Sequence, residues 1–387
     1  MNSETIHDEK TKSYEDYMVR VEKEKIPVYE PSVGVGEIEN LTDVIESNWL
    51  SEGKYTREFE SRLAEMHGRK YGLCFSNATA AMLVGMKSLG IGEGDEVIVP
   101  SFTHSADVNL ISLTGATPVF AEVEKESMCL SVKTIKEAVT EKTKAILFVA
   151  LYGNASDLDE IEVFCSENNL LFINDCAPAL GGFYKGRSIA SYGAFSALSF
   201  FADKTITTGE GGMLLTDDES LIEECNIYKH DGRRERGHDL IERRGYNFRI
   251  TEMQAAVGVA QLDKVDKFIE RKKEIYQMYR DRLSQVEQVD VFEFNRDGDI
   301  VPHRVVIFVP EWKPLEIYLN ELGIGVRNLF MPMHNMPCYG SDNIKIDNFD
   351  ISEDLFSRGL QIPSAPSLSD DEVIFVCDSI KKYFEEN

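Results

Sequence analysis

Three places in this sequence combine a reactive group with a backbone setting that could use it. Lys204 lies in "SFFADKTITTGEGGMLLTDD", behind an apolar run and ahead of the turn Gly209-Glu210-Gly211-Gly212. A buried amine is costly unless it is paired or chemically used, and its chemical use is as a nucleophile toward carbonyl carbon. Asp175 ends the apolar run "LLFIND", and ligands of an open parallel sheet sit beyond the carboxyl ends of its strands. Asn77-Ala78-Thr79-Ala80 turns "YGLCFS" into a helix. The free N–H groups and dipole at such a start attract phosphate, with the Thr79 hydroxyl as a further donor. Each feature has an ordinary alternative: a snorkelling strand-end lysine, an aspartate that caps the next segment, and a helix cap with no ligand.

Together the three suit one cofactor. An amine that condenses with an aldehyde, an acid that keeps a ring nitrogen protonated and backbone donors that hold a phosphate are what pyridoxal 5'-phosphate needs.

The elements that must position them are short apolar strands alternating with helix-length segments. From about Tyr71 these read "YGLCFS", "DEVIVP", "TPVFAEV", "KAILFVALYG", "LLFINDC", "AFSALSFF" and "GGMLLTD". The alternation predicts an α/β fold with a mostly parallel sheet covered on both faces. After Tyr246, "TEMQAAVGVAQLDKVDKFIERKKEIYQMYRDRL" carries apolar residues at helical spacing and reads as one connecting helix. "HRVVIFVP", "PLEIYLNELGIGV" and "DEVIFVCDSIKKYFEE" then predict a smaller C-terminal α/β domain. The expected organisation is an N-terminal arm over 1–25, a large cofactor-binding domain over 26–248, and the linking helix with the small domain over 249–387.

At 387 residues, 43% hydrophobic and 28% charged, the chain can bury a sizeable core. A net charge of -26 argues against nucleic acid or an anionic membrane as the main partner, so an anionic ligand requires a local basic site. The most apolar stretch, "AILFVALY", is too short to span a bilayer, and "MNSETIHDEKTKSYEDY" has no apolar signal core; the expected location is cytoplasmic. Seven cysteines without a C-x-x-C pair suggest neither a disulfide framework nor a metal site, but buried apolar fillers.

Three long segments carry a family resemblance: "SNATAAMLVGMKSLGIGEGDEVIVPSFTHSADVNLISLTGATPVFAEVE", "FINDCAPALGGFYKGRSIASYGAFSALSFFADKTITTGEGGMLLTDD" and "GYNFRITEMQAAVGVAQLDKVDKFI". From about Ile26 to Tyr339 the chain resembles the DegT/DnrJ/EryC1/StrS sugar aminotransferases, with a perosamine-synthase-like texture. The resemblance implies a fold type I pyridoxal phosphate enzyme, aspartate aminotransferase-like in architecture. Lys204 would then form the Schiff base and later shuttle a proton, and Asp175 would pair with the pyridine nitrogen. Ala78, Thr79 and Ser199 would bind the phosphate. Asn247 would reach the phosphate of the neighbouring subunit, giving a homodimer with shared active sites. His104 stands where an aromatic residue stacks on the cofactor ring, a core or capping histidine being its alternative.

The same resemblance implies an amino acid donor, glutamate, and a keto-sugar acceptor, foremost a nucleotide-linked 4-keto-6-deoxyhexose, in cell-surface polysaccharide or other amino-sugar biosynthesis. A sugar aldehyde or sugar acid without a nucleotide, and a non-catalytic regulator on the same fold, are the alternatives. Lys204 speaks against the family's dehydratases, in which histidine replaces this lysine. Pro178, Asn154 and Ala150 depart from the family's usual Gln or His near the cofactor, which bears on substrate more than on cofactor binding. Arg233, Arg234, Arg236, Arg243, Arg244 and Arg249 form either a salt-bridged face or an anion site, with Arg249 favoured for substrate. Arg327 and His334, in "GVRNLFMPMHNMP", are further substrate-side candidates.

Overall fold

The computed structural model describes residues 25–234, 237, 239–339 and 348–386. The expected arm over 1–25 and Arg236 lie outside the described residues, apart from Lys25. The apolar runs form the strands β1 (Tyr71–Phe75), β2 (Glu96–Pro100), β3 (Thr117–Ala121), β4 (Thr143–Val149) and β5 (Leu171–Asp175). A hairpin of β6 (Phe183–Tyr184) and β7 (Arg187–Ser188) precedes β8 (Phe195–Ser199) and β9 (Gly212–Thr216). Seven of these make one sheet in the order β1-β9-β8-β5-β4-β2-β3, in which β9 alone runs antiparallel to its neighbours. Every residue of β2, β8 and β9 is buried, the signature of a sheet covered on both faces. Alternate residues enter opposite cores: Ile98, Ile146 and Phe148 on one side, Val97, Val99, Ala145 and Leu147 on the other.

Six strands therefore end at the same edge. It gathers the segments that follow Phe75, Pro100, Val149, Asp175 and Ser199, which is where an open sheet builds its sites. The helix Ala78–Ser88 lies close against the sheet beneath this edge, because a Cβ at Gly85 would stand 2.6 Å from the Phe195 ring.

The expected single connecting helix is two helices, Glu252–Leu262 and Val265–Leu283. A Thr251–Gln254 capping box starts the first, and a turn at Asp263–Lys264 divides the two, with the Lys264 ammonium paired with Glu37. The two halves also bury different faces. The first packs Gly258 against Phe59, while the second carries Ile275, Tyr279 and Leu283 into a separate core with Val305, Ile307, Leu315, Leu319 and Ile380.

That core covers a smaller sheet of β10 (Asp290–Val291), β12 (Val305–Phe308), β13 (Arg327–Asn328) and β14 (Gly359–Ile362), in the order β10-β12-β14-β13 and antiparallel throughout. The runs "PLEIYLNELGIGV" and "DEVIFVCDSIKKYFEE" supply the helices Trp312–Glu321 and Asp370–Glu386. The two parts are joined by a third sheet, in which β11 (Gly298–Asp299) pairs with β6. No helix among the described residues is long and apolar enough to cross a membrane. All seven cysteines are free, and only Cys338 is exposed.

Candidate active site

At the common strand edge Asp175 is fixed from two sides. Its Oδ1 accepts a 2.8 Å hydrogen bond from the Ala177 amide, and its carbonyl accepts one of 2.9 Å from the Ala150 amide. Lys204 leaves the adjacent β8 on a turn closed by its own N–H to the Phe201 carbonyl at 3.0 Å. Its Nζ lies 3.7 Å from Asp203 Oδ1. His104 caps the helix Ser105–Thr114, its Nδ1 accepting from the Ala106 amide at 3.1 Å, and its ring meets Phe330 edge-on at 5.6 Å. Burial and then the Lys204 charge push the His104 pKa down, while Asp175 and Asp203 pull the other way and Arg327 adds to the push. Capping and a flat ring surface are compatible roles for the imidazole.

The second half of the site is a cradle at the start of the helix Ala78–Ser88. Asn77 Oδ1 accepts from the Ala80 amide at 2.8 Å, which leaves the Ala78 and Thr79 N–H groups without an acceptor among the described residues. Gly212 pairs with Phe75 on one side and Ser199 on the other. A Cβ at Gly212 would sit 2.3 Å from both Ala78 N and Asn77 C. Glycine is therefore what lets β9 pass beneath the turn and bring Ser199, 9% exposed, beside the open amides.

The remaining candidates are more dispersed. Asn247 is exposed, in a bridge with His230. Arg249 donates to Asp231 at 3.0 Å, Arg234 to Glu242 at 3.0 Å, and Arg243 pairs with Glu224, so the arginine run is largely a salt-bridged face; Arg233 is also within 3.6 Å of Asp231, and Arg244 is exposed. Arg327 is exposed on β13, and its charge reaches His104, Asp203, Tyr152 and Arg304. His334 has both ring nitrogens engaged, by Ser101 Oγ at 2.6 Å and Glu353 at 3.3 Å, and stacks on Phe349 at 4.2 Å. Asn154 is buried and spends its amide on the Ser127 carbonyl and the Asn295 N–H, so it pins a loop.

Several residues with a place in the site escaped the sequence reading. Asp107 is buried, accepts from Thr103 Oγ1 at 2.6 Å, and has its pKa raised by burial and then by the Asp175 charge. Arg304, 3% exposed, donates to Asp203 Oδ2 at 2.6 Å and lies 5.1 Å from the Tyr29 ring centre. Tyr152, at φ 55, stacks on Phe330 at 6.0 Å. The only trace of these in the sequence is adjacency: Asp203 precedes Lys204, and Asp107 follows "SFTHSA".

A family model described as the DegT/DnrJ/EryC1/StrS aminotransferase family matches residues 31–381. The chain belongs to this family. The GDP-perosamine synthases of Escherichia coli O157:H7 and Vibrio cholerae are each 40% identical to it, over 370 and 367 residues, with 93% of this chain and 99% of each relative covered. Among solved structures, S. venezuelae DesV in complex with a ketimine intermediate aligns with a TM-score of 0.86 at 28% identity, covering 90% of this chain and 94% of DesV. The chain is a pyridoxal phosphate-dependent sugar aminotransferase of the fold type I α/β architecture, with an amino donor and a keto-sugar acceptor as its substrates. The residues present fit that cofactor: open amides in a glycine-lined cradle, with an amine and a carboxylate on neighbouring strand ends.

Proposed function

We propose that this chain transfers an amino group from glutamate to a nucleotide-linked 4-keto-6-deoxyhexose, in the cytoplasm, as a homodimer with shared active sites. The observation that carries the reading is the placing of Asp175 and Lys204 on neighbouring strand ends beside the Gly212 cradle of open amides. The acceptor class follows the two relatives named GDP-perosamine synthases. The division of the chain into a large domain over 26–248 and a small one over 249–387 belongs to the same reading.

When bound, pyridoxal phosphate supplies an electron sink that stabilises negative charge at the carbon losing a proton. Asp175 keeps the ring nitrogen protonated, and the Ala177 amide holds the carboxylate in orientation. The amides of Ala78 and Thr79, with the Thr79 and Ser199 hydroxyls, hold the phosphate. Lys204 Nζ would be the attachment amine and, once free, would hold and move the proton at the substrate carbon. His104 would offer a ring face to the cofactor. Arg327 draws the anionic part of either substrate into a chain that is otherwise strongly acidic. Arg249 serves substrate only if it exchanges Asp231 for it, and His334 orders the loop between Ser101 and Glu353.

A homodimer accounts for two features of the surface. Val35, Ile38, Ile45 and Trp49 are each at least 55% exposed on one helix and the turn after it, an apolar patch that a second copy covers. Asn247 is exposed and so available to a partner's phosphate.

The test is to load the purified enzyme with glutamate and offer nucleotide-linked 4-keto-6-deoxyhexoses beside unlinked sugar aldehydes and sugar acids. Amination confined to the nucleotide-linked sugars is expected. Amination confined to the unlinked compounds would overturn the acceptor assignment, and no conversion by glutamate would overturn the donor.

A further inference from the structure

The carboxylate of Asp203 is fixed on one oxygen and open on the other. Oδ2 accepts the 2.6 Å hydrogen bond from Arg304, while Oδ1 is buried and accepts none. A buried oxygen without a donor is costly to maintain. Lys204 Nζ lies 3.7 Å from this oxygen and His303 Nε2 lies 4.0 Å away. A small rotation of the flexible lysine side chain closes the first gap to a hydrogen bond of about 2.8 Å.

The surroundings select the lysine as the group that fills it. His303 already directs Nε2 to the Asp203 carbonyl at 3.3 Å, and burial followed by the Lys204 charge pushes its pKa far below the imidazole range, so it is neutral. Lys272, on the helix Val265–Leu283, spends its donors on the carbonyls of Pro302, His303 and Ser364, and burial draws its pKa down to about 7. Arg304 is committed to Oδ2. Arg327, on β13, acts on Asp203 through its field. With Arg304 and Arg327 nearby, a released Lys204 ammonium meets like charge on the small-sheet side, and Asp203 supplies the opposing charge.

We infer that Asp203 is a positioning residue for Lys204: its Oδ1 receives the ammonium each time the amine is released from the cofactor, with Arg304 fixing the carboxylate for that contact. The inference rests on the assignment of Lys204 as the attachment amine. One consequence does not depend on turnover. A carboxylate beside the attachment nitrogen stabilises its protonated form, so it raises the pH at which the absorbance of the bound cofactor titrates.

The experiment compares holoenzyme of the wild type with Asp203→Asn, Asp203→Ser and Asp203→Glu, each reconstituted with pyridoxal phosphate. Borohydride reduction with peptide mapping locates the tagged lysine, a pH titration of the visible band gives the midpoint, and stopped flow gives the half-reaction with glutamate. In Asp203→Asn and Asp203→Ser the tag should remain on Lys204, the midpoint should fall by about one pH unit or more, and the half-reaction should slow by roughly tenfold. Asp203→Glu should restore much of the midpoint. A correct tag with an unmoved or raised midpoint in whichever neutral variant folds overturns the role of Asp203 alone. A wild-type tag on another lysine overturns the assignment of Lys204, and this inference falls with it.

Discussion

Asp107, buried in the first turn of its helix, accepts a 2.6 Å hydrogen bond from Thr103 Oγ1 and lies in the field of the Asp175 carboxylate. Two neighbouring acids do not both ionise cheaply, and the buried one retains the proton. Burial first, and then the Asp175 charge, push Asp107 well above the ordinary aspartate value of 3.8. Because the folded chain binds this proton more tightly than the unfolded one, its stabilisation is full below 3.8 and is lost as pH rises toward the raised value. Asp107→Asn keeps an acceptor for Thr103 Oγ1 but nothing that titrates. It should therefore gain stability relative to the wild type as pH rises from about 5 to about 8. Thermal denaturation of both across that range is the check, and parallel curves would show that Asp107 is not the proton carrier.

Asp175→Asn should leave the cofactor bound but slow the half-reaction with glutamate by at least about a hundredfold, since a neutral amide cannot hold the ring proton. Single-turnover rates measure this. Near wild-type rates would remove Asp175 from the mechanism.

Gly212→Ala should weaken the holoenzyme through the cradle. The added methyl would stand 2.3 Å from backbone atoms of Asn77 and Ala78, and backbone cannot move aside as a side chain can, so a cost of about 1–3 kcal/mol is expected. The apparent dissociation constant of pyridoxamine phosphate, which needs no link to Lys204, should rise with it. An unchanged constant in a folded variant would place the phosphate elsewhere.

Asn247→Ala should loosen cofactor retention, and mixing it with Lys204→Ala should recover activity. A mixed dimer with shared sites has one site with both defects and one with neither, and random exchange makes about half of the dimers mixed. Demonstrated subunit exchange without recovery would mean that each site is built from one chain.

The strands were legible because a sheet buried on both faces writes itself as continuous apolar runs, and Lys204 and Asp175 stood out because they interrupt such runs at their ends. The antiparallel order of the smaller sheet was not legible, since β10 and β13 are two residues each. Nothing in the local sequence marks Asp107 or Asp203; what sets them apart is burial near Asp175 for the first and the ion pair with Arg304 for the second, which no local pattern encodes. The break at Asp263–Lys264 was hidden for the same reason. Neither residue type is a helix breaker like proline or glycine, and the ion-pair partner of Lys264, Glu37, lies 227 positions away.

The position of β1 at the sheet edge sets the order in which the enzyme can be made. Its strand partner is β9, so Tyr71–Phe75 waits for Gly212–Thr216 to leave the ribosome, while β2 to β5 can pair as they emerge. Closing so long a loop is entropically slow, and an unpaired apolar edge is prone to aggregate in the interval. The cradle of Ala78, Ser199 and Gly212 is completed by that same closure. Pyridoxal phosphate therefore cannot template the early sheet, and a chain truncated before Gly212 should be both insoluble and colourless.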